Sequence, residues 1–335
     1  MIGRLFLLLC TPLALVGVAD ERLSRFTFSE PHMGTLFKIT LYAADKDAAD
    51  KAARAAFARV AELDGIMSDY RPASELMQLC KKAGGDPVKV SADLFAVLQE
   101  AQEVARKTDG AFDVTIGPII RLWRKARRTR ELPSPEAIKQ ALAKVGYDKM
   151  KLDATKRTVQ LLVMGMLLDL GGIAKGYAGD AVLEVLRKHG ITRALVAAGG
   201  DIRVGDAPPG EKGWKVGIAP LKNPSAPPKH CLLLVNAAVS TAGDAEQAMI
   251  IDGKRYSHIV DPRTGLAQLG RRSASVVARD GVTADAYDTA LCVLGPKRGM
   301  PIVDRIAGAA ALHVHDDDGK EVSATSKRWG DFIAD

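Results

Sequence analysis

The stretch Asp169 to Asp180, DLGGIAKGYAGD, constrains this chain more than any other, because it joins a turn that glycine makes easily to charges that a turn does not need. An apolar run, Leu161 to Leu168, leads into it and reads as a strand. AVLEVLRKHG follows, where Ala181, Leu183, Val185 and Leu186 can supply a buried helix stripe. The expectation is strand, tight turn, helix, with Lys175 in the first helical turn. Gly171 and Gly172 let a ligand approach the backbone, and the N–H groups of the new helix favour an anion there. Asp169 and Lys175 place opposite charges within reach of the same small volume. Glycines between a strand and a helix also serve chain reversal alone, and the segment is neither a P-loop nor a GxGxxG fingerprint, so both readings stay open at this point.

With 335 residues, 47% of them hydrophobic, the chain is long enough for one large domain or two small ones with a sizeable core. Residues 1–19 stand apart. Arg4 precedes the apolar run Leu5 to Val18, and Gly17-Val18-Ala19 offers a small-residue cleavage site, so this segment reads as a secretory signal peptide and residues 20–335 as the mature, exported protein. Cys10 raises a lipid-anchored start as the alternative, but Leu7-Leu8-Leu9 before it lacks the small residues usual there. The other cysteines, Cys80, Cys231 and Cys292, are odd in number without metal-like spacing and read as buried small hydrophobes, with one disulfide left open. Removing Arg4 with the leader leaves 46 basic against 40 acidic residues, a formal charge of +6. Much of that excess lies in Arg121, Arg124, Lys125, Arg127, Arg128 and Arg130, which read as a solvated face or as a docking surface for an acidic protein or anionic lipid. The three Trp, six Tyr and eight Phe do not interleave with the basic residues, which argues against nucleic-acid binding.

Along the chain, Thr35 to Ala43 alternates with Phe37, Ile39 and Leu41 on one face, as a half-buried strand should. Asp45 can cap a helix carrying Ala49, Ala53, Ala56, Val60 and Leu63 up to Gly65. Tyr70 and Arg71 fall in a loop before Pro72, and a short helical turn follows. Ser91 opens a helix with Leu94, Val97, Leu98, Ala101 and Val104 inward. GAFDVTIGPIIRLW, Gly110 to Trp123, is too irregular for one element, with Pro118 breaking any strand. Ser134-Pro135 starts a helix that Gly146 stops. Strands are expected at Thr158 to Leu168, at Arg193 to Ala198 as a parallel-type return, and at Trp214 to Ala219 within a proline-rich loop. Others fit Cys231 to Asn236, Ala248 to Ile251, Arg255 to Val260, Ser273 to Ala278 and Leu312 to His315. Asp252-Gly253 makes a hairpin turn, and Thr283 caps a helix to Leu294 with Gly295 past its end.

Three further stretches carry chemistry. ADAYDT sets Asp285, Asp288 and Thr289 on one helical face, a hard-oxygen set suited to Mg²⁺, although acids in a first turn also simply favour the helix dipole. SHIVDPRTG places His258 at a strand end, where a histidine is either packed or catalytic. STAGDAEQ, from Ser240 to Gln247, is a polar loop at the end of an apolar strand.

Seven stretches occur in collinear order: HMGT at His32, MSDYRPASEL at Met67, GAFDVTIGP at Gly110, DLGGIAKGYA at Asp169, AGGD at Ala198, YSHIVDPRTG at Tyr256 and ADAYDT at Ala284. With these the chain resembles the ApbE family, the FAD:protein FMN transferases, from about Pro31 to the C-terminus. The resemblance implies an α/β (mixed α+β) fold, a single ApbE-like domain with two lobes and mixed sheets flanked by helices. It implies an exported, periplasmic enzyme that binds FAD with Mg²⁺ and transfers FMN to a threonine of an acceptor flavoprotein, such as a membrane-associated redox subunit, releasing AMP. Carried over by position, Met33, Tyr70, Ala111, Phe112, Asp113, Asp169, Lys175 and Ile259 are its flavin-nucleotide contacts. The Gly172 carbonyl, Asp285, Asp288 and Thr289 are its metal shell, and His258 is its base, with Asp169 and Lys175 also serving catalysis. Two positions depart from the family's pattern: Cys80 stands for the usual Asn, and Ala242-Gly243-Asp244-Ala245 for Ser-Gly-Asp-aromatic. An Mg²⁺-dependent FAD pyrophosphatase and a non-catalytic flavin carrier are the alternative functions.

Overall fold

The computed structural model describes residues 23–223, 225–243 and 248–334. The expected leader, residues 1–19, and Asp244 and Ala245 of the polar loop lie outside the described residues. The first half runs β1 (Ser24–His32), β2 (Thr35–Ala43), α1 (Lys46–Met67), α2 (Glu75–Lys81), β3 (Val88–Lys89), α3 (Ala92–Lys107), α4 (Gly117–Thr129), α5 (Pro135–Leu142), β4 (Met150–Asp153), β5 (Thr158–Leu161) and α6 (Ala174–Lys188). The second half runs β6 (Ala194–Ala198), β7 (Asp201–Val204), β8 (Trp214–Ile218), β9 (His230–Leu234), β10 (Ala238–Gly243), β11 (Met249–Ile251), β12 (Lys254–Val260), β13 (Ala267–Leu269), β14 (Arg272–Ala278), α7 (Gly281–Val303), β15 (Ala310–Asp317) and β16 (Lys320–Thr325). The class is the mixed α+β expected.

The organising layer is an eight-stranded sheet in the order β1-β2-β6-β7-β10-β14-β15-β16. Its neighbours pair antiparallel throughout. The expected parallel return after α6 is therefore corrected: β6 pairs antiparallel with β2 and, through the Gly199-Gly200 turn, with β7. One sheet face and the helices α1, α3, α6 and α7 enclose the main core, which includes Phe37, Ile39 and Leu41 of β2. The other face is covered by the β8–β9 hairpin and Trp329. Tyr42 turns to that second face, its ring 6.0 Å from that of Trp214, which is why β2 buries more than an alternating strand with one wet face would. A smaller core holds α4, α5 and the β11-β12-β13 sheet together around Ile119, Trp123, Met249 and Val260.

Helix starts follow local chemistry. Asp45, Ser91 and Ser134 each accept the N–H three residues on, at 2.8, 3.2 and 3.2 Å, as N-caps should. Helix α1 continues through Gly65, because Met67 is buried in the core beyond it. Pro118 does not interrupt an element; it lies in the first turn of α4, where its missing N–H costs nothing. Asp280, not Thr283, caps α7: its carboxylate accepts Thr283 N–H at 2.8 Å. Gly295, with φ of 69°, breaks the helix where expected, and the chain then resumes helical geometry to Val303. Asp252 and Gly253, with φ of 50° and 72°, make the left-handed turn that joins β11 to β12.

The run before the glycine turn is not one long strand. β5 ends at Leu161, Gly165 reverses the chain with φ of 77°, and Leu167 makes a single parallel bridge to Ile116. Cys80 and Cys292 are buried as expected, whereas Cys231 is exposed, and all three are free thiols. No helix among the described residues is long and apolar enough to cross a membrane.

Candidate functional site

The glycine turn and the start of α6 meet the start of α7 at the end of the sheet where β7 begins and β10 passes. The two helices touch backbone to backbone. A Cβ built on Gly176 would lie 2.1 Å from the Gly281 carbonyl oxygen, so both positions require glycine. Each helix also supplies a carboxylate to the other's N-terminus. Asp180 of α6 accepts from Gly281 N–H at 2.9 and 2.8 Å and from Val282 N–H at 3.0 Å. Asp285 of α7 accepts from Gly176 N–H at 2.9 Å. Asp285 is therefore an anion that the chain itself supplies to the N-terminal turn of α6.

That exchange carries Asp285 into a cluster. Asp201, Asp285 and Asp288 are all buried, and one carboxylate oxygen from each lies within 4.8 Å of the others. Lys175 ion-pairs with Asp201 and stands 3.9 Å from Asp285. Ser240 Oγ contacts both Asp201 Oδ1 and Asp288 Oδ2. A hydroxyl has one proton to give, so one of those contacts needs a proton on the carboxyl or a cation beside it. Burial and the neighbouring charge of Asp201 push Asp285 up to about 7 despite Lys175. Burial, Asp285 and Asp201 push Asp288 well above the ordinary carboxylate range. Burial works against the charge on Lys175, but Asp285 and Asp201 outweigh it and hold the ammonium protonated.

Asp288 Oδ1 is buried without a hydrogen-bond partner among the described residues. An orphaned carboxylate oxygen beside two more carboxylates is the donor set of a hard divalent cation, and Mg²⁺ fits it chemically. Thr289 belongs to the same corner. A Cβ on Gly172 would meet Thr289 Oγ1 at 2.9 Å and Phe112 Cε2 at 3.4 Å, so Gly172, Thr289 and Phe112 are in contact range.

Asp169 occupies the other side of the turn. Its Oδ1 accepts Gly171 N–H at 2.9 Å, and its Oδ2 accepts Arg124 Nη2 at 2.7 Å. Burial and the charge of Asp69 push its carboxyl upward, opposed by Arg124 and the Gly171 N–H. Arg124 also binds Asp69, and its guanidinium carbon lies 4.4 Å from the centre of the Tyr70 ring. Of the basic stretch, then, Arg124 faces inward to the site, whereas Arg121, Lys125 and Arg128 line the exposed face of α4. Next to Arg124, Trp123 Nε1 donates to Gly265 O at 2.8 Å and fixes α4 to the DPRTG turn.

The remaining expected residues sit as follows. Ala111 and Phe112 are buried, and Asp113 is buried with its Oδ1 accepting Thr115 N–H and Oγ1 at 2.8 and 2.7 Å. Burial pushes Asp113 up to about 6 against those bonds. Met33 and Gly34, with φ of 49° and 74°, form the β1–β2 turn. Gly199 in the β6–β7 turn faces Thr35 just beyond it, a Cβ there lying 3.4 Å from Thr35 Oγ1. His258 is half-buried on β12, and its neighbour Ile259 enters the main core. Cys80 accepts Leu168 N–H at 3.3 Å, one residue before Asp169, and burial pushes its thiol up to about 11.

Asp201, Ser240, Asp69, Arg124 and Asp180 are the members that sequence reasoning left out of the site. Asp201 had a signal, since it follows Gly199-Gly200 as a second acid at a glycine turn, and Ser240 opens the polar loop. Asp69, Arg124 and Asp180 lie in stretches singled out above, but their roles had no local signal, because each acts through partners distant in sequence.

Known proteins share the sequence and the fold of this chain. The profile of the ApbE family matches residues 33–313. The chain is 32% identical to the FAD:protein FMN transferase of Treponema pallidum over 96% of this chain and 93% of that protein. It is 30% identical to that of Vibrio cholerae over 96% and 98% of the two chains. Its fold superposes on the crystal structure of the ApbE protein from Thermotoga maritima with a TM-score of 0.83 at 29% identity, covering 93% of this chain and 100% of the other. Matched by the family's profile over residues 33–313 and about 30% identical to these relatives over nearly its full length, this chain is a member of the ApbE family.

Proposed function

We propose that this protein is an Mg²⁺-dependent FAD:protein FMN transferase that attaches FMN from FAD to a threonine hydroxyl of an acceptor protein and releases AMP. The observation that carries the reading is the buried triad Asp201, Asp285 and Asp288, with its orphaned Asp288 oxygen, set against Lys175 and the glycine turn. The near full-length relatives that bear this activity in their names support it.

Chemically, the threonine oxygen bonds to the phosphorus on the FMN side of the pyrophosphate, the bridging P–O bond breaks, and AMP takes the departing oxygen. Mg²⁺, held by Asp285 and Asp288 with Asp201, Thr289 and the Gly172 carbonyl at hand, would neutralise charge on the pyrophosphate. Lys175 is kept protonated by its carboxylates and supplies a fixed positive charge at the same corner. His258 is the group assigned to take the threonine proton. The flat rings of FAD are assigned to the side of the turn holding Asp169 and Tyr70, with Phe112 and Ile259, buried in the main core, assigned to its apolar contacts. Orientation matters as much as the base, since the hydroxyl must lie in line with the breaking bond.

The test is mass spectrometry of an acceptor domain with a candidate threonine after incubation with the mature protein, FAD and Mg²⁺, beside an Asp285→Ala control. An added mass of one FMN with AMP released, absent from the control, supports transfer. AMP and free FMN without modified acceptor would move the assignment to FAD hydrolysis, and bound FAD without AMP to a carrier. The reading includes export to the periplasm with residues 1–19 as leader and a membrane-associated redox subunit as acceptor. N-terminal sequencing of the protein recovered from a periplasmic fraction tests the export, with Asp20 the expected first residue.

A further inference from the structure

We propose that Arg124 is a positioning residue for a flat ring of FAD, acting by locking the Asp69–Tyr70 loop onto Asp169 and presenting one open face of the Tyr70 ring as a stacking platform. This inference rests on the FAD reading above.

Three segments that are far apart in sequence converge on one guanidinium. Asp69 follows the C-terminus of α1, Asp169 begins the glycine turn, and Arg124 stands on α4 between them. Nη1 binds Asp69 and Nη2 binds Asp169 at 2.7 Å, so the two arms of the fork hold two carboxylates that would otherwise repel each other. Both carboxylates are largely shielded, at 18% and 12% exposure, which strengthens the attraction relative to a surface pair. The guanidinium also covers the Tyr70 ring, its carbon 4.4 Å from the ring centre.

Tyr70 completes the arrangement. It is 74% exposed while the guanidinium covers one face of the ring, so the rest of the ring stays open to a partner. The loop itself is braced: Ser74 Oγ donates to Ser68 O at 2.6 Å, Tyr70 N–H donates to Ser68 Oγ at 3.3 Å, and Arg71 pairs with Asp64 at 3.3 Å. A ring held on one side by a cation and left open on the other is arranged to stack on a second flat ring. Asp169 ties it to the glycine turn, where the pyrophosphate chemistry is assigned. A lysine at position 124 would keep the charge, but its single ammonium cannot bridge two carboxylates while lying flat on a ring.

Both ends of FAD are flat, the isoalloxazine and the adenine, and the chemistry of stacking is shared. The experiment is a steady-state comparison of wild type, Arg124→Lys, Arg124→Ala, Tyr70→Ala and the Arg124→Lys/Tyr70→Ala pair, each with its Tm, together with competition by FMN and by AMP. The expected result is a rise of about ten-fold in KM for FAD in each single variant, the scale of one lost stacked contact, with kcat changed less than about two-fold. The double variant should be no worse than about the worse single, because both act on one platform. Weakened competition by FMN alone places the isoalloxazine on Tyr70, and weakened competition by AMP alone places the adenine there; either supports the proposal. It is overturned if Arg124→Ala lowers Tm and kcat with KM unchanged, if Arg124→Lys restores the wild-type KM, if the two substitutions multiply, or if neither competitor is weakened. Wild-type protein that binds no FAD would overturn the functional reading and this inference with it.

Discussion

Replacing Gly176 with alanine tests the helix contact on which the whole carboxylate cluster depends. The new Cβ would sit 2.1 Å from Gly281 O, 2.5 Å from Gly281 C and 2.8 Å from Asp285 Cβ. Carbon needs about 3 Å or more from these atoms, so α6 and α7 must part by roughly 1 Å, and two backbones cannot yield as a flexible side chain would. Overpacking of this kind costs about 3 kcal/mol, the upper end of its usual range. Alanine in a helix interior returns about 1 kcal/mol over glycine, leaving a net loss near 2 kcal/mol. At about 2 °C per kcal/mol for a chain of this length, Tm should fall by about 4 °C. The same displacement moves Asp285 away from Asp201 and Lys175, and a shift of about 1 Å at a reacting centre is worth about a hundred-fold in rate. Differential scanning calorimetry and FMN transfer read the two effects. Without the contact, the substitution would leave only the propensity gain, and Tm would rise by about 1–2 °C with transfer intact. The two accounts differ in sign, and a rise would refute the packing argument.

Asp288→Asn should abolish the stabilisation by Mg²⁺, which at a concentration about a hundred-fold above Kd is worth about 2.7 kcal/mol, while raising Tm in EDTA because a buried carboxyl pushed well above its ordinary range is replaced by a neutral amide. Thermal scans with EDTA and with MgCl₂ separate the two changes. Asp113 is pushed up to about 6 in the fold from an ordinary value of 3.8, so it favours the folded state fully below about pH 4, and that advantage, roughly 3 kcal/mol, is lost as pH rises through 6. Asp113→Asn keeps an acceptor for Thr115 and should remove this part of the pH dependence, gaining on wild type between urea titrations at pH 4.5 and pH 7.5. Asp180→Ala leaves the Gly281 and Val282 N–H groups without their carboxylate and Arg203 without its ion pair, a loss of about 3 kcal/mol in urea unfolding.

What could be read from the sequence was local. The alternation of Phe37, Ile39 and Leu41, the caps at Asp45, Ser91 and Ser134, and the Asp252-Gly253 turn each depend on residues within a few positions of one another, and each formed as expected. Asp285, Asp288 and Thr289 were legible for the same reason, since helical spacing alone sets them on one face. Partners beyond that range were not. Asp201 joins the acids of α7 through strand order, and the antiparallel pairing of β7 with β10 crosses the whole β8–β9 hairpin, for which no local pattern exists. Arg124 was counted among surface cations because its neighbours in sequence are exposed. Its own side chain turns inward because the burial of Trp123 and Ala126 sets the rotation of α4, and that rotation brings position 124 to the edge of the site.

The two acidic groups of the site share a plan but not a charge balance, and the difference assigns their roles. Asp69 and Asp169 meet one guanidinium, which satisfies an oxygen of each and leaves a net charge of −1 when both are ionised. Asp201, Asp285 and Asp288 meet one ammonium, and Lys175 reaches only the first two. With all three ionised the cluster carries −2, more than burial tolerates, which is why Asp285 rises to about 7 and Asp288 well above the ordinary carboxylate range, and why Asp288 Oδ1 has no hydrogen-bond partner among the described residues. A divalent cation is the one simple ligand that removes that excess in full, and to enter it must displace the protons that the carboxyls otherwise retain. The Asp69–Asp169 pair makes no such demand. Its single residual charge is suited to accepting hydrogen bonds from a nucleotide ring or ribose, so that the glycine turn lies between a cation-seeking corner and a donor-seeking one, as a substrate with a pyrophosphate between two flat rings requires.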